Sequence, residues 1–341
     1  ITNLQGNNTK KQGQINMKKF LLLLLISFSL TAQQRQKVIF DCDLGDDIDD
    51  AYALGYLLTL QDRYEILGIT TCYGRTEDRA LLAQKFLAVI GETHIPVYVG
   101  KNTSTSSERA NWYADQFYWA KGFKPKERPE FSNQYRQAIG LAPLKTKAPD
   151  ATDFIRSQLK KYPGEVIIFS VGPVTNLAPI GVELQKAKAI YAMFGSFRIG
   201  YDGSSKVDAE WNVTCDIPAA KAFVQSGANI IYAGLDVTAM VKLSAENRLK
   251  LLMRQSPLTS AMQGLYVLWG QETPTLFDPV AIGMETNPEL FTTEKVHVYV
   301  DDKGFTRIDP GKPANATIGA SIKSADFLQQ LMHQYIYQNL N

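Results

Sequence analysis

The sequence predicts an α/β fold: a single Rossmann-like domain with a mostly parallel central sheet flanked by helices. Two observations carry the prediction. Short β-branched runs alternate with segments of helical spacing, and no Pro/Ser-rich linker or internal repeat divides the chain. The composition agrees. At 341 residues, 45% hydrophobic and 21% charged, the chain can bury a sizeable core, which excludes a disordered, collagen-like or disulfide-stapled polypeptide. With 36 basic against 34 acidic residues it carries no charge excess that would steer it to nucleic acid.

Lys37 to Phe40 reads as a first strand ending in a carboxylate cluster, and from Asp50 the apolar spacing becomes helical. The alternation then repeats. Glu65 to Thr71 is a strand, Glu77 to Ile90 a helix, Pro96 to Val99 a short strand, Ala151 to Tyr162 a helix and Val166 to Val171 a strand. Ala189 to Phe194, Ala219 to Gln225 and Asn229 to Ala233 continue the order. Residues 101 to 146, rich in aromatics, predict an irregular insertion over one rim. Val296 to Val300 and Phe305 to Ile308 flank Asp301-Asp302-Lys303-Gly304 as a hairpin, and Ser324 to Tyr337 forms a last helix.

Residues 1 to 16 are polar and patternless and read as an upstream extension. Residues 17 to 32 read as a secretory signal peptide: Met17-Lys18-Lys19 precedes an apolar run from Phe20 to Leu30, too short for a span of about 20 residues. The expected catalytic domain is 33–341, exported to a periplasmic or secreted location and free of the membrane after cleavage. Removing the leader takes four lysines and no acid, leaving 32 basic against 34 acidic groups. Cys42, Cys72 and Cys215 show no metal-ligand spacing and read as buried thiols, although Cys42 and Cys72 could be neighbours across the sheet.

Between Asp41 and Asp50 stand six carboxylates: Asp41, Asp43, Asp46, Asp47, Asp49 and Asp50. Helix capping accounts for one or two of them. Six in a strand-to-helix turn repel one another unless a cation neutralises them, and all-oxygen ligands suit Ca²⁺ or Mg²⁺. The spacing is not that of an EF-hand, and Gly45 stands where an aspartate-nucleophile phosphatase needs Thr.

The run Asp41-Cys42-Asp43-Leu44-Gly45 followed by Asp49-Asp50-Ala51 resembles the D-x-D-P-G-x-D-D-A signature of the inosine/uridine-preferring nucleoside hydrolases, with Leu44 for Pro and two extra residues. Three further blocks follow in family order: Gly172-Pro173-Val174-Thr175-Asn176, Ala209-Glu210-Trp211-Asn212 with Asp216, and Phe277-Asp278-Pro279. The resemblance spans roughly residues 37 to 341. It implies a Ca²⁺ ion held by Asp43, Asp50, the main-chain oxygen of Val171 and Asp278. It further implies a bound water activated by Asp43 that attacks the anomeric carbon, releasing ribose and free base from a small-molecule nucleoside. Asn212 and Asp49 are then expected toward the 2′ and 3′ hydroxyls and Glu210 toward the 5′ hydroxyl. Asn176 is expected to cap a helix near Leu177. A homo-oligomer, dimer or tetramer, is compatible with this reading.

Three departures stand out. Phe277 occupies the place of the family histidine that protonates the leaving group, so the base is expected to stack on aromatics drawn from Trp269, Tyr266, Phe277 and the Trp112 to Trp119 cluster. Arg75 replaces an Asn, and the loop holding Asp202 is long; both are expected to reshape the 5′ side. The loss of the acid also leaves open a weak or inactive ribose-binding protein that keeps the Ca²⁺ site.

Overall fold

The computed structural model describes residues 34–45, 47–101 and 150–340. The predicted leader and the Trp112 to Trp119 cluster lie outside them. Strand β1 (Gln36–Cys42) is buried on both sides because its apolar residues alternate between two cores: Val38 and Phe40 join one, Ile39 the other. The same division recurs in β4 (Val166–Ser170), where Ile167 and Phe169 face the first core and Val166 and Ile168 the second. Burying a side chain such as Phe40 or Phe169 contributes about 1.5–3 kcal/mol.

Helices α1 (Asp49–Leu58) and α2 (Thr76–Ile90) cover the first face, α3 (Ala151–Lys161) the second. β2 (Tyr64–Thr71) and β3 (Val97–Val99) extend the sheet on one side of β1; β4, β5 (Ala189–Met193) and β6 (Ile230–Ala233) extend it on the other. Two short helices, α4 (Trp211–Thr214) and α5 (Ile217–Val224), lie between β5 and β6. The predicted strands and helices up to β6 appear with ends within two residues of the expected positions.

Between residues 234 and 295, where the spacing predicts no element, the chain forms α6 (Leu235–Thr238), α7 (Ala245–Arg254), α8 (Pro257–Trp269) and α9 (Phe277–Thr286), then β7 (Phe291–Val296). The predicted hairpin is shorter than expected. β8 (Val298–Val300) pairs with β9 (Thr306–Ile308), whereas Val296 belongs to β7 in the main sheet, because its backbone pairs with Ala316 at the start of β10 (Ala316–Ile322). Helix α10 (Ser324–Tyr337) closes the chain as expected.

The eight-stranded sheet runs β3-β2-β1-β4-β5-β6-β10-β7, parallel throughout except for β7 against β10. The order reverses between β1 and β4. In such sheets the crevice beyond the carboxyl ends of the two strands at the reversal is the natural ligand site. Cys42 and Cys72 are buried, unbridged thiols adjacent across β1 and β2, with Cys72 N donating to Cys42 O at 2.9 Å.

Candidate active site

At that reversal, Asp41 lies opposite Ser170, and Val171 N donates to Asp41 O at 2.8 Å, so the loops carrying Asp43 and Val171 leave the sheet side by side. Gly45 turns the first loop with φ 111°, a conformation that L side chains rarely adopt. Gly172 lets the second loop press against the first, since a Cβ there would lie 2.6 Å from both Asp43 Oδ1 and Cys72 Sγ. From α2, fully buried Arg79 donates to the carbonyl oxygens of Asp43, Leu44 and Tyr73, holding the Asp43 backbone from beneath. Asp41 points into the sheet, accepting from Thr70 Oγ1 at 2.6 Å and Asn176 Nδ2 at 2.7 Å; burial pushes its carboxyl up to about 6.

α1 and α9 pack together and direct their first turns at the same point. Asp49 and Asp50 open α1, Asp278 sits in the first turn of α9, and all three are buried with carboxylate oxygens within 4.8 Å of one another. Asp43 N donates to Asp50 Oδ1 at 3.2 Å, and Asp278 N to Asp49 Oδ2 at 3.3 Å. Burial first, then neighbouring carboxylates, push the acids of Asp49 and Asp278 well above the usual range. Helix dipoles offset part of that cost, and a hard cation among the oxygens would offset the rest.

The two-residue spacing of Glu210 and Asn212 suits an extended segment with both side chains on one face, but the structure places them at a helix start. Glu210 is the N-cap of α4: its Oε1 accepts from Asn212 N at 2.8 Å, satisfying an otherwise orphaned helix donor, and its Oε2 accepts from Gly195 N at 3.0 Å. Burial still pushes the Glu210 carboxyl up to about 7. Asn212 Nδ2 donates to Val171 O and Met193 O, both at 3.0 Å.

These groups line a cavity of about 250 Å³ together with Asp47, Tyr201, Trp211, Trp269, Gln271 and Phe277. The structure thus brings Asp43, Asp49, Asp50, Val171, Glu210, Asn212, Trp269, Phe277 and Asp278 to one cavity. Asp47 enters through the two-residue extension of the first motif, and Trp211 lies inside the third block, a position from which its side chain could have been anticipated. Tyr201 comes from the long loop after β5 and stands edge-on to Phe277, ring centroids 6.0 Å apart.

Other expectations are not met. Asp202 faces away and pairs with Lys242 at 2.9 Å, so Tyr201 is the residue of that loop at the cavity. Arg75 pairs with Asp78 at 2.8 Å and does not line the cavity. Tyr266 donates to Glu272 O one turn before Trp269 and is likewise off the cavity. Asn176 caps no helix; its amide donates to Asp41 and to Thr71 O because the following 3₁₀ stretch begins from Leu177 without a side-chain cap. His94, His297 and His333 are not among the residues that line the cavity.

The sequence profile of the inosine-uridine preferring nucleoside hydrolases matches residues 38–329. The chain belongs to this family. As a nucleoside hydrolase it is an enzyme that cleaves N-glycosyl bonds of small-molecule nucleosides. Its relatives include uridine nucleosidase 1 of Arabidopsis thaliana, 30% identical over 80% of this chain and 80% of that protein. The pyrimidine-specific ribonucleoside hydrolase RihA of Shewanella woodyi is 29% identical over 86% of this chain and 96% of its own. Among solved structures, the plant nucleoside hydrolase PpNRh1 superposes with a TM-score of 0.71 at 22% identity, covering 89% of this chain and 99% of the other. A purine-preferring ribonucleoside hydrolase from Gardnerella vaginalis gives 0.69 at 23% identity, covering 88% and 98%. Both structures support the fold.

Proposed function

We propose that this nucleoside hydrolase splits ribonucleosides into ribose and free base, with Asp43 accepting a proton from the attacking water. The observation that carries the reading is the group of buried carboxylates Asp49, Asp50 and Asp278, packed beside Asp43 and Val171 at the sheet reversal. An all-oxygen donor set with raised carboxyl pKa values fits a hard dication, and Asp43, Asp50, Asp278 and the Val171 carbonyl would hold Ca²⁺. When bound, the ion supplies Lewis acidity toward water and vicinal hydroxyls.

The chain's own groups do the rest. Asn212 spends both amide hydrogens on Val171 and Met193, so only its Oδ1 remains for substrate, as an acceptor for a ribose hydroxyl. Asp49 would accept from a second hydroxyl of the same side. Glu210, fixed by two backbone N–H groups, keeps further lone pairs for the 5′ hydroxyl. The field of carboxylates around the anomeric carbon stabilises positive charge as the glycosidic bond opens.

Incubation with uridine, cytidine, inosine and an activated aryl riboside, assayed for reducing sugar with calcium and with chelator, tests the reading; no release from any of them refutes it. Phe277 at the leaving-group end favours a second reading, a ribose-binding protein of little turnover, which calorimetric ribose binding without cleavage of the aryl riboside would establish. The leader supports export to a periplasmic or secreted location, checked by fractionation of expressing cells.

A further inference from the structure

Two clusters line the cavity: the carboxylates Asp43, Asp49, Asp50 and Asp278, and an aromatic group in which Tyr201 touches Trp211 and Phe277 and to which the lining adds Trp269. Six carboxyl groups line it in all, and among the described residues that line it there is no histidine, lysine or arginine. The charged side chains of the lining are thus all of one sign when ionised.

The aromatic cluster is built to hold its shape. Tyr201 N donates to Asp208 Oδ2 at 2.9 Å, and the Tyr201 hydroxyl accepts from Trp211 N at 3.0 Å, which sets the ring against Phe277 at 86°. Among the described residues that line the cavity, the neutral side-chain donors beside these rings are the Tyr201 hydroxyl, the Gln271 amide, the Asn212 amide and the indoles, none of which releases a proton near neutral pH. Burial moves the Tyr201 phenol further from doing so.

A neutral base that leaves with the electron pair of the glycosidic bond needs a proton or a strong hydrogen bond at its nitrogen. A quaternary aromatic nitrogen needs neither. Water oxygen bonds to C1′, the C1′–N bond breaks, its pair returns to the ring nitrogen and cancels the positive charge, and the water proton passes to Asp43 and then to solvent. A cationic ring is also the ligand that aromatic faces and carboxylates recognise together, by cation–π and Coulomb attraction.

Resting on the N-riboside hydrolase reading above, we propose that the preferred leaving group of this site is a cationic heteroaromatic ring, as in a pyridinium riboside. Recognition and departure then come from one property of the substrate, its charge.

The test compares kcat/KM of the calcium-supplemented full chain for 3-carbamoylpyridinium riboside, uridine and p-nitrophenyl riboside, the last being uncharged yet independent of an acid. The pyridinium riboside is expected to exceed uridine by about tenfold or more and to show a KM several-fold below that of the nitrophenyl compound, the size of a solvent-accessible cation–π contact. Tyr201→Leu should raise KM for the pyridinium riboside about fivefold or more while Tyr201→Phe keeps it low, because the ring and not the hydroxyl carries the attraction. Uridine cleaved as fast as the pyridinium riboside, or a nitrophenyl KM equal to the pyridinium one, overturns the proposal and leaves the hydrolase reading standing. No cleavage of any of the three overturns both. If Tyr201→Leu does not fold, the substrate comparison on the unaltered chain decides alone.

Discussion

The side-chain amide of Asn212 donates to the carbonyl oxygen of Val171 at 3.0 Å, joining the N-terminus of α4 to the end of β4 across the floor of the cavity. The bond orients a candidate metal ligand and a candidate ribose acceptor at once. Asn212→Ala strands the carbonyls of Val171 and Met193, two buried acceptors, and is expected to cost about 1–3 kcal/mol in urea unfolding. It should also raise KM for any ribonucleoside that is turned over.

Asp50 and Asp278 have opposite expected effects with and without cation. In the absence of divalent ions, Asp278→Asn removes a buried acid pressed by Asp49 and Asp50, so its melting temperature should equal or exceed that of the parent chain. With calcium at a hundred times its Kd the parent gains about 2.7 kcal/mol, and the variant should lose most of that gain. Scanning calorimetry with and without chelator measures both. Asp50→Asn should lose the calcium response as well, with activity falling on the order of a hundredfold.

Glu210 predicts a pH dependence whose sign follows from its burial. Its carboxyl stays protonated up to about pH 7 in the folded protein but ionises near its ordinary value of 4.5 when exposed. Between those values the folded chain binds a proton that the unfolded chain has released, so this contribution is full below about 4.5 and is lost as pH rises through 7. The change amounts to about 3 kcal/mol for this group. Glu210→Gln should flatten the fall in stability between about pH 4.5 and 7, read by urea unfolding at each pH.

Arg79 supports Asp43 through main-chain contacts rather than through the cavity. Its guanidinium serves three carbonyls at once, a task that the single point charge of Lys does not reproduce. Arg79→Lys and Arg79→Met are both expected to destabilise, the Met variant by about 3–5 kcal/mol because it leaves three carbonyls without this donor. The Lys variant, where folded, should lose kcat more than KM, because Asp43 shifts while the ribose acceptors remain in place.

The elements up to β6 could be read because the apolar alternation in β1 and β4 is complete, each residue being committed to one of two cores. Helices α8 and α9 could not, since each is apolar on more than one side, α8 packing on α1, α2, α7 and α10 and α9 on α1, α6 and the sheet, while four-residue α6 is too short to show a period. One signal was present: Ser256-Pro257 with Thr259 forms a capping box that marks the start of α8. Val296 was ambiguous for a related reason, because a run of β-branched residues does not say which of two sheets each residue joins.

By itself the sequence determined which chemistry is possible: carboxylates in the first motif, Asp278 in the last, Glu210 and Asn212 between them, and Phe277 where the resemblance leads one to expect an imidazole. Those are choices of side chain, and local order preserves them. Tertiary structure decided which of the acids meet. Asp41 turned into the sheet to bond Thr70 and Asn176, Asp47 entered the cavity, and Asp49, Asp50 and Asp278 closed to within 4.8 Å although more than two hundred residues separate α1 from α9. It also chose Tyr201 over Asp202, because an exposed carboxylate finds Lys242 in solvent while a tyrosine ring gains by packing on Phe277. Distance along the chain carries no information about such meetings; they follow from the reversal of strand order that brings the ends of β1 and β4 together.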